Sequence, residues 1–125
     1  MKFKWWGHAT FSITSEDGAK IITDPYGKDF AYNQIDDQAD IVTVSHDHFD
    51  HNGADDLPGN PEIVDTEKGY QDDQINITGI SSYHDDSGGS QRGKNIIFVL
   101  EIEDKKVCHL GDLGHPLTDS QKKEL

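Results

Sequence analysis

The chain has 125 residues and a formal net charge of −13, with eighteen Asp among its twenty-four acidic side chains. That length holds one domain at most, and so acidic a surface repels phosphate backbones, which argues against nucleic acid as a main partner. A hydrophobic content of 33 % and a mean hydropathy of −0.74 predict a modest core; no run approaches a membrane span and no apolar leader follows Met1, so a cytoplasmic protein without membrane association is expected.

In chain order, short β-branched and aromatic runs predict strands over residues 2–6, 10–14 and 20–23, a meander turned at Ser15-Glu16-Asp17-Gly18. Residues 25–39 are polar and aromatic without a clear period, and loops of that length in a small domain often carry function. A buried strand over 40–45 follows, then a short helix over 53–57 stopped by Pro58-Gly59. Further strands are predicted over 61–64, 74–80, 95–102 and 106–110, with a flexible Gly/Ser loop between His84 and Lys94. The single cysteine, Cys108, excludes an internal disulfide; inside the last of these strands it is expected as a small buried core residue. Thr118-Asp119-Ser120-Gln121 has the form of a capping box and starts a helix that the chain carries only to Leu125.

Chemistry concentrates in His46-Asp47-His48-Phe49-Asp50-His51. Four potential ligands, His46, His48, Asp50 and His51, fall within six residues directly after the apolar run Ile41-Val42-Thr43-Val44. They therefore lie on the loop leaving a strand's carboxyl end, where spacings of one and two residues let side chains converge without straining a regular element. Imidazoles with a carboxylate and no thiolate suit zinc, iron or manganese. A Gly-x-Ser-x-Gly elbow and a phosphate-cradling Gly-rich motif are both absent, which disfavours serine-hydrolase and P-loop chemistry.

His-x-His-x-Asp-His is also the signature of the metallo-β-lactamase-fold hydrolases, and the chain resembles them along nearly its whole length. Trp6-Gly7-His8-Ala9-Thr10-Phe11-Ser12-Ile13 resembles the family's opening hairpin, and Ile21-Ile22-Thr23-Asp24-Pro25 the strand that ends in its first Asp. Ser82-Tyr83-His84-Asp85-Asp86 is similar to the third motif and Leu110-Gly111-Asp112 to the fourth. The nearest branch is that of small Zn-dependent hydrolases that includes ascorbate-6-phosphate-lactonase-like proteins. The resemblance implies an α/β fold, a four-layer αβ/βα sandwich, of which residues 1–125 would be the N-terminal portion. The later strands and helices, with a last His ligand, find no match here. An outer sheet face left without its helices would favour a homo-oligomer or belong to a fragment of a longer protein.

The same resemblance implies two divalent ions, most readily zinc, with manganese or iron as alternatives. His46, His48 and His84 would hold the first, Asp50 and His51 the second, and Asp112 would bridge them. The implied activity is hydrolysis of a small ester, lactone or phosphoester by a metal-activated water, with Asp50 orienting the nucleophile or receiving its proton. Asp24 reads equally as a turn residue before Pro25 and as an acceptor that fixes a ligand imidazole. His8 either lines the cleft or is satisfied within the hairpin; His115 reads as a surface loop residue or as a contact to substrate or metal, and His109 as a locally packed strand residue. Asp47, Asp85 and Asp86 are expected to be solvated flanks. Arg92 and Lys94, the only cations near His84, would hold an anionic substrate group or form surface ion pairs. Two rival readings remain: a non-catalytic metal-binding module, and a nuclease, which the acidic surface opposes.

Overall fold

A computed structural model describes all 125 residues, which divide into two compact units, 1–64 and 65–125. The first unit is one five-stranded sheet in the order β1-β2-β3-β4-β5, built from β1 (Lys2–Gly7), β2 (Thr10–Thr14), β3 (Lys20–Thr23), β4 (Ile41–Thr43) and β5 (Glu62–Val64). The first three strands form the expected antiparallel meander, Phe3 facing Ile13 and Ile13 facing Ile21. The remaining pairs are parallel, with Thr23 beside Thr43 and Thr43 beside Val64. Parallel neighbours end at the same edge of a sheet. Asp24, just past β3, and Ser45-His46, just past β4, are therefore brought together by strand direction alone.

β4 and all of β3 after Lys20 are buried, as their Ile, Val and Thr runs predict. Ile22, Val42 and Val44 pack with Tyr26, Ile35, Ala54 and Leu57, and Trp6 and Phe30 lean on this cluster. Residues 25–39 form no regular element, yet they supply two members of the core, Tyr26 and Ile35. The predicted helix over 53–57 is a single 3-10 turn, Ala54–Asp56.

The second unit is an antiparallel sheet in the order β6-β7-β8-β9, from β6 (Tyr70–Gln71), β7 (Ile75–Tyr83), β8 (Lys94–Ile102) and β9 (Lys105–His109). β8, one of the two interior strands, reads as a continuous apolar run, with Ile96 to Leu100 all buried. The two-residue β6 is too short to leave a period in the sequence. Helix α1 (Asp119–Glu124) opens with the expected capping box: Thr118 Oγ1 accepts the Gln121 N–H, and Gln121 Oε1 accepts the Thr118 N–H. Six residues do not hold a helix in water on their own. Here Gln121 Nε2 also donates to Ser81 O at 2.8 Å, and Leu125, Leu113 and Leu117 pack on Ile80, Ile97 and Val99. No helix is long and apolar enough to cross a membrane.

Cys108 departs from expectation. It is exposed, not buried. β9 is an edge strand, and strand alternation turns Val107 and His109 toward cover and Cys108 away from it.

Candidate metal centre

In the first unit the His-x-His-x-Asp-His loop closes on itself. The His48 N–H donates to His46 O, and the N–H groups of His51 and Asn52 both donate to His48 O. This tight winding gathers the imidazoles: the ring of His46 lies 4.4 Å from that of His48 and 4.3 Å from that of His51, centroid to centroid. His51 is fully buried and His46 nearly so, whereas His48 and Phe49 face solvent.

Beneath the rings sits Asp24, fully buried at the end of β3. Its Oδ1 accepts the Ser45 N–H at 2.7 Å, and its Oδ2 accepts the Ser45 hydroxyl at 2.5 Å and the His51 Nδ1–H at 2.8 Å. The Ser45 hydroxyl, its proton given to Asp24, is left as an acceptor for His46 Nδ1 at 2.8 Å. One carboxylate thus fixes two tautomers. His51 directly, and His46 through Ser45, carry their protons on Nδ1 and present Nε2 as a lone-pair nitrogen. A neutral imidazole so oriented is what a divalent ion requires of a ligand. The donor chemistry of this loop therefore fits a metal, and of the two readings of Asp24 the structure selects the imidazole-fixing one.

Asp50 and His8 complete the loop's surroundings. Asp50 Oδ2 stands 3.0 Å from His8 Nε2 and 3.7 Å from His51 Nε2. Partial burial works to raise the Asp50 carboxyl, but its own backbone N–H, His51 and His8 outweigh that and hold it below the usual carboxylate range. Asp47 is exposed and accepts from Asn52 Nδ2, the flanking role expected of it.

Gly53 locks this loop to the segment after Asp24. Its N–H donates to Pro25 O at 2.7 Å, and a Cβ there would stand 2.4 Å from the Gly27 nitrogen and the Tyr26 carbonyl carbon. Only glycine permits that approach.

In the second unit β7 and β9 both run antiparallel to β8, so both run toward the edge where β8 begins. His84 follows β7 and Asp112 follows β9, and His84 Nε2 lies 2.9 Å from Asp112 Oδ2. Buried Asn95, near the start of β8, holds this edge: its Oδ1 accepts the Asp112 N–H at 3.0 Å, and its Nδ2 donates to Leu110 O and Ser82 Oγ. An open cleft of about 500 Å³ borders His84, Asp112 and Arg92. Gly114 repeats the glycine device of the first unit, since a Cβ there would stand 2.3 Å from the His84 carbonyl carbon.

Asp85 is a second correction. It is buried, not a solvated flank. Its carboxylate accepts the N–H groups of Arg92, Gly89, Ser87 and Gln91 and so folds the glycine-rich loop around itself. The Arg92 N–H foremost, with the other three, holds this carboxyl far below its usual range against the opposing effect of burial. His115 is a brace: Nε2 accepts the Tyr83 N–H, so Nδ1 carries the proton given to Pro116 O. His109 is half-buried in β9, and Lys94 and Asp86 are exposed.

Ser45 and Asn95 were not singled out by the sequence. Each left a trace: a hydroxyl directly before the first histidine, and an amide opening an otherwise apolar strand.

Comparison with known proteins gives the family and the fold. A model of the beta-lactamase superfamily domain (Lactamase_B_3) matches residues 2–125. A UPF0173 protein of Pyrococcus abyssi is 28 % identical over 133 residues, covering 90 % of this chain and 60 % of its own. A UPF0173 metal-dependent hydrolase of Methanobrevibacter smithii is 36 % identical over a shorter stretch of 56 residues, covering 42 % of this chain and 23 % of its own. Among solved structures, one classed as a Zn-dependent hydrolase of the metallo-β-lactamase superfamily, from Thermotoga maritima, superposes with a TM-score of 0.77 at 38 % identity, covering 98 % of this chain and 55 % of its own. A structure from Parabacteroides distasonis, at 16 % identity and a TM-score of 0.66 over 89 % of this chain and 60 % of its own, shares the fold. The chain thus spans little more than half the length of the full-span relatives it matches. It belongs to the beta-lactamase superfamily domain family and has a fold of the metallo-β-lactamase type.

Proposed function

We propose that the chain carries ligand-bearing motifs of a metal-dependent hydrolase acting on a small ester, lactone or phosphoester. The observation that carries this reading is the buried Asp24–Ser45 pair, which sets His46 and His51 in the tautomer that offers Nε2 to a cation. A core histidine needs no such arrangement, and burying a carboxylate to fix two rings costs free energy, which supports a ligand role for those rings. The ligand assignment taken from the motif series belongs to the same proposal, unit by unit: His46, His48, Asp50 and His51 in the first, and His84 and Asp112 in the second. The UPF0173 relative of M. smithii is named a metal-dependent hydrolase and the T. maritima neighbour is classed as a Zn-dependent one, which supports the reaction class and favours zinc.

A divalent ion bound here supplies Lewis acidity and lowers the pKa of a coordinated water. The chain's own residues do the rest. Asp24 and Ser45 hold the imidazoles in place. Asp50, ionised at neutral pH, is available to receive a proton from the nucleophile. Arg92, which lines the cleft beside His84 and Asp112, would attract an anionic group of the substrate. The net charge of −13 makes a nucleic-acid substrate the poorer choice.

Turnover tests the reading. The chain is stripped with chelator, reloaded separately with zinc, manganese or iron, and assayed on an activated ester, a lactone and a phosphodiester. Metal-dependent hydrolysis of at least one class, abolished again by chelator, is expected. Stoichiometric metal with no turnover on any of the three would overturn it in favour of a non-catalytic metal-binding module.

A further inference from the structure

We infer that His8 is a metal ligand, and that with Asp50 and His51 it forms a three-donor position built wholly within residues 1–64. His8 lies on the turn between β1 and β2, forty-two residues before Asp50, so nothing in the His-x-His-x-Asp-His spacing implicates it. The inference rests on the proposed metal-dependent reading.

The geometry is that of a coordination triangle. His8 Nε2 is 3.0 Å from Asp50 Oδ2 and 3.1 Å from His51 Nε2, and the last two atoms are 3.7 Å apart. Donors held about 2.0–2.1 Å from one tetrahedral ion stand roughly 3.3–3.4 Å from each other. The three observed separations bracket that figure. Because Asp24 takes the Nδ1 proton of His51, the His51 Nε2 atom enters the triangle as a lone pair. Without a cation, a proton on His8 Nε2 shared between Asp50 and His51 holds the three together. A divalent ion displacing that proton would find one anionic oxygen and two imidazole nitrogens already converged.

The surroundings hold His8 there. Its backbone occupies the left-handed region, with φ at 50°, which few non-glycine residues adopt and which histidine tolerates better than most. The Trp5 indole N–H donates to His8 O at 3.1 Å. Thr10 Oγ1, two residues on, donates to the backbone oxygen of Asp24 at 2.7 Å, tying the hairpin turn to the residue that orients His51. The ring of Phe30 lies 5.4 Å from that of His8 and limits its swing. Two of the three donors are partly accessible, His8 at 33 % and Asp50 at 22 %, so an ion can reach the position from solvent.

The test uses the whole chain, labelled with nitrogen-15 and loaded with cadmium-113. Scalar coupling from cadmium to His8 Nε2, together with coupling to His51 Nε2, is the expected result. Coupling at His51 but not at His8, with the His8 Nε2 proton retained, would overturn the inference and leave the hydrolase reading standing. No coupling to any imidazole would overturn both. A second arm measures cadmium affinity in His8→Asn, since asparagine tolerates the left-handed backbone but lacks the imidazole. Loss of an outer-sphere partner alone costs about 10–100-fold in metal affinity, so loss of a direct ligand should weaken the affected equivalent by at least about 10-fold with an unchanged circular dichroism spectrum. Unchanged affinity would contradict the inference, and if the variant fails to fold, the cadmium coupling in the unmodified chain decides alone.

Discussion

Asp24 and His51 are joined by a hydrogen bond of 2.8 Å between side chains that are both wholly removed from solvent. Every partner of the Asp24 carboxylate described above is a donor: the Ser45 N–H, the Ser45 hydroxyl and His51 Nδ1–H. In Asp24→Asn the new amide either points an N–H at the Ser45 N–H or donates to Ser45 Oγ and His51 Nδ1, which then lose the proton arrangement that leaves Nε2 as the lone pair. The backbone is not the obstacle, because asparagine tolerates the φ of 37° found there. The expected outcome is a loss of about 1–3 kcal/mol of stability and a metal affinity lower by about 10–100-fold, read by chemical denaturation and by metal titration. Wild-type metal affinity in a folded Asp24→Asn protein would remove Asp24 from the site.

Gly53 gives a purely steric prediction. Its missing Cβ would meet backbone atoms of Tyr26 and Gly27 at 2.4 Å, and backbone cannot swing aside as a side-chain tip can. Gly53→Ala should force the histidine loop away from the segment after Asp24 and destabilise the chain by about 1–3 kcal/mol, with weaker metal binding as a second consequence. A thermal melt indistinguishable from wild type would show that the two segments are not locked together.

Asp85 should behave as the anchor of the loop it precedes. Asp85→Ala leaves four backbone N–H groups without their acceptor. Amide hydrogen exchange at Gly89 and Arg92 is expected to accelerate by at least about 10-fold while the β8 core keeps its protection. Equal acceleration throughout the second unit would mean that Asp85 supports the whole unit instead of one loop.

How much of this was legible in the sequence follows from how far apart the partners lie. The strands over 10–14 and 20–23 and the capping box at Thr118 match because alternation, turn residues and capping are local signals. The His-x-His-x-Asp-His loop was visible for the same reason. What the sequence could not show are contacts made by strand pairing. Asp24 and Ser45 lie 21 residues apart, and only the parallel pairing of β3 with β4 brings them together. His8 reaches Asp50 across 42 residues. Asp85 looked like a solvated flank because its partners are backbone N–H groups, which no residue letter announces. Cys108 was misplaced because burial on an edge strand depends on which face is covered, and alternation alone does not say which.

The proposed chemistry assigns no task to a side-chain nucleophile. Cys108→Ala, on the exposed face of β9, should keep the activity of the metal-loaded chain, while Asp50→Ala should lower kcat/KM by about 100-fold or more. Matched kinetics giving the opposite ranking would sink that mechanism.

The most direct test of the central claim, that the loop after β4 is built to hold a divalent metal, is the metal content of the chain and of His48→Ala after equilibration with zinc and removal of excess. His48 is exposed, so its loss should leave the fold intact while removing one imidazole from the proposed ligand set. The account predicts bound zinc in the unmodified chain and a marked fall in the variant, with both proteins equally folded. Unchanged zinc in His48→Ala, or none in either protein, would contradict it.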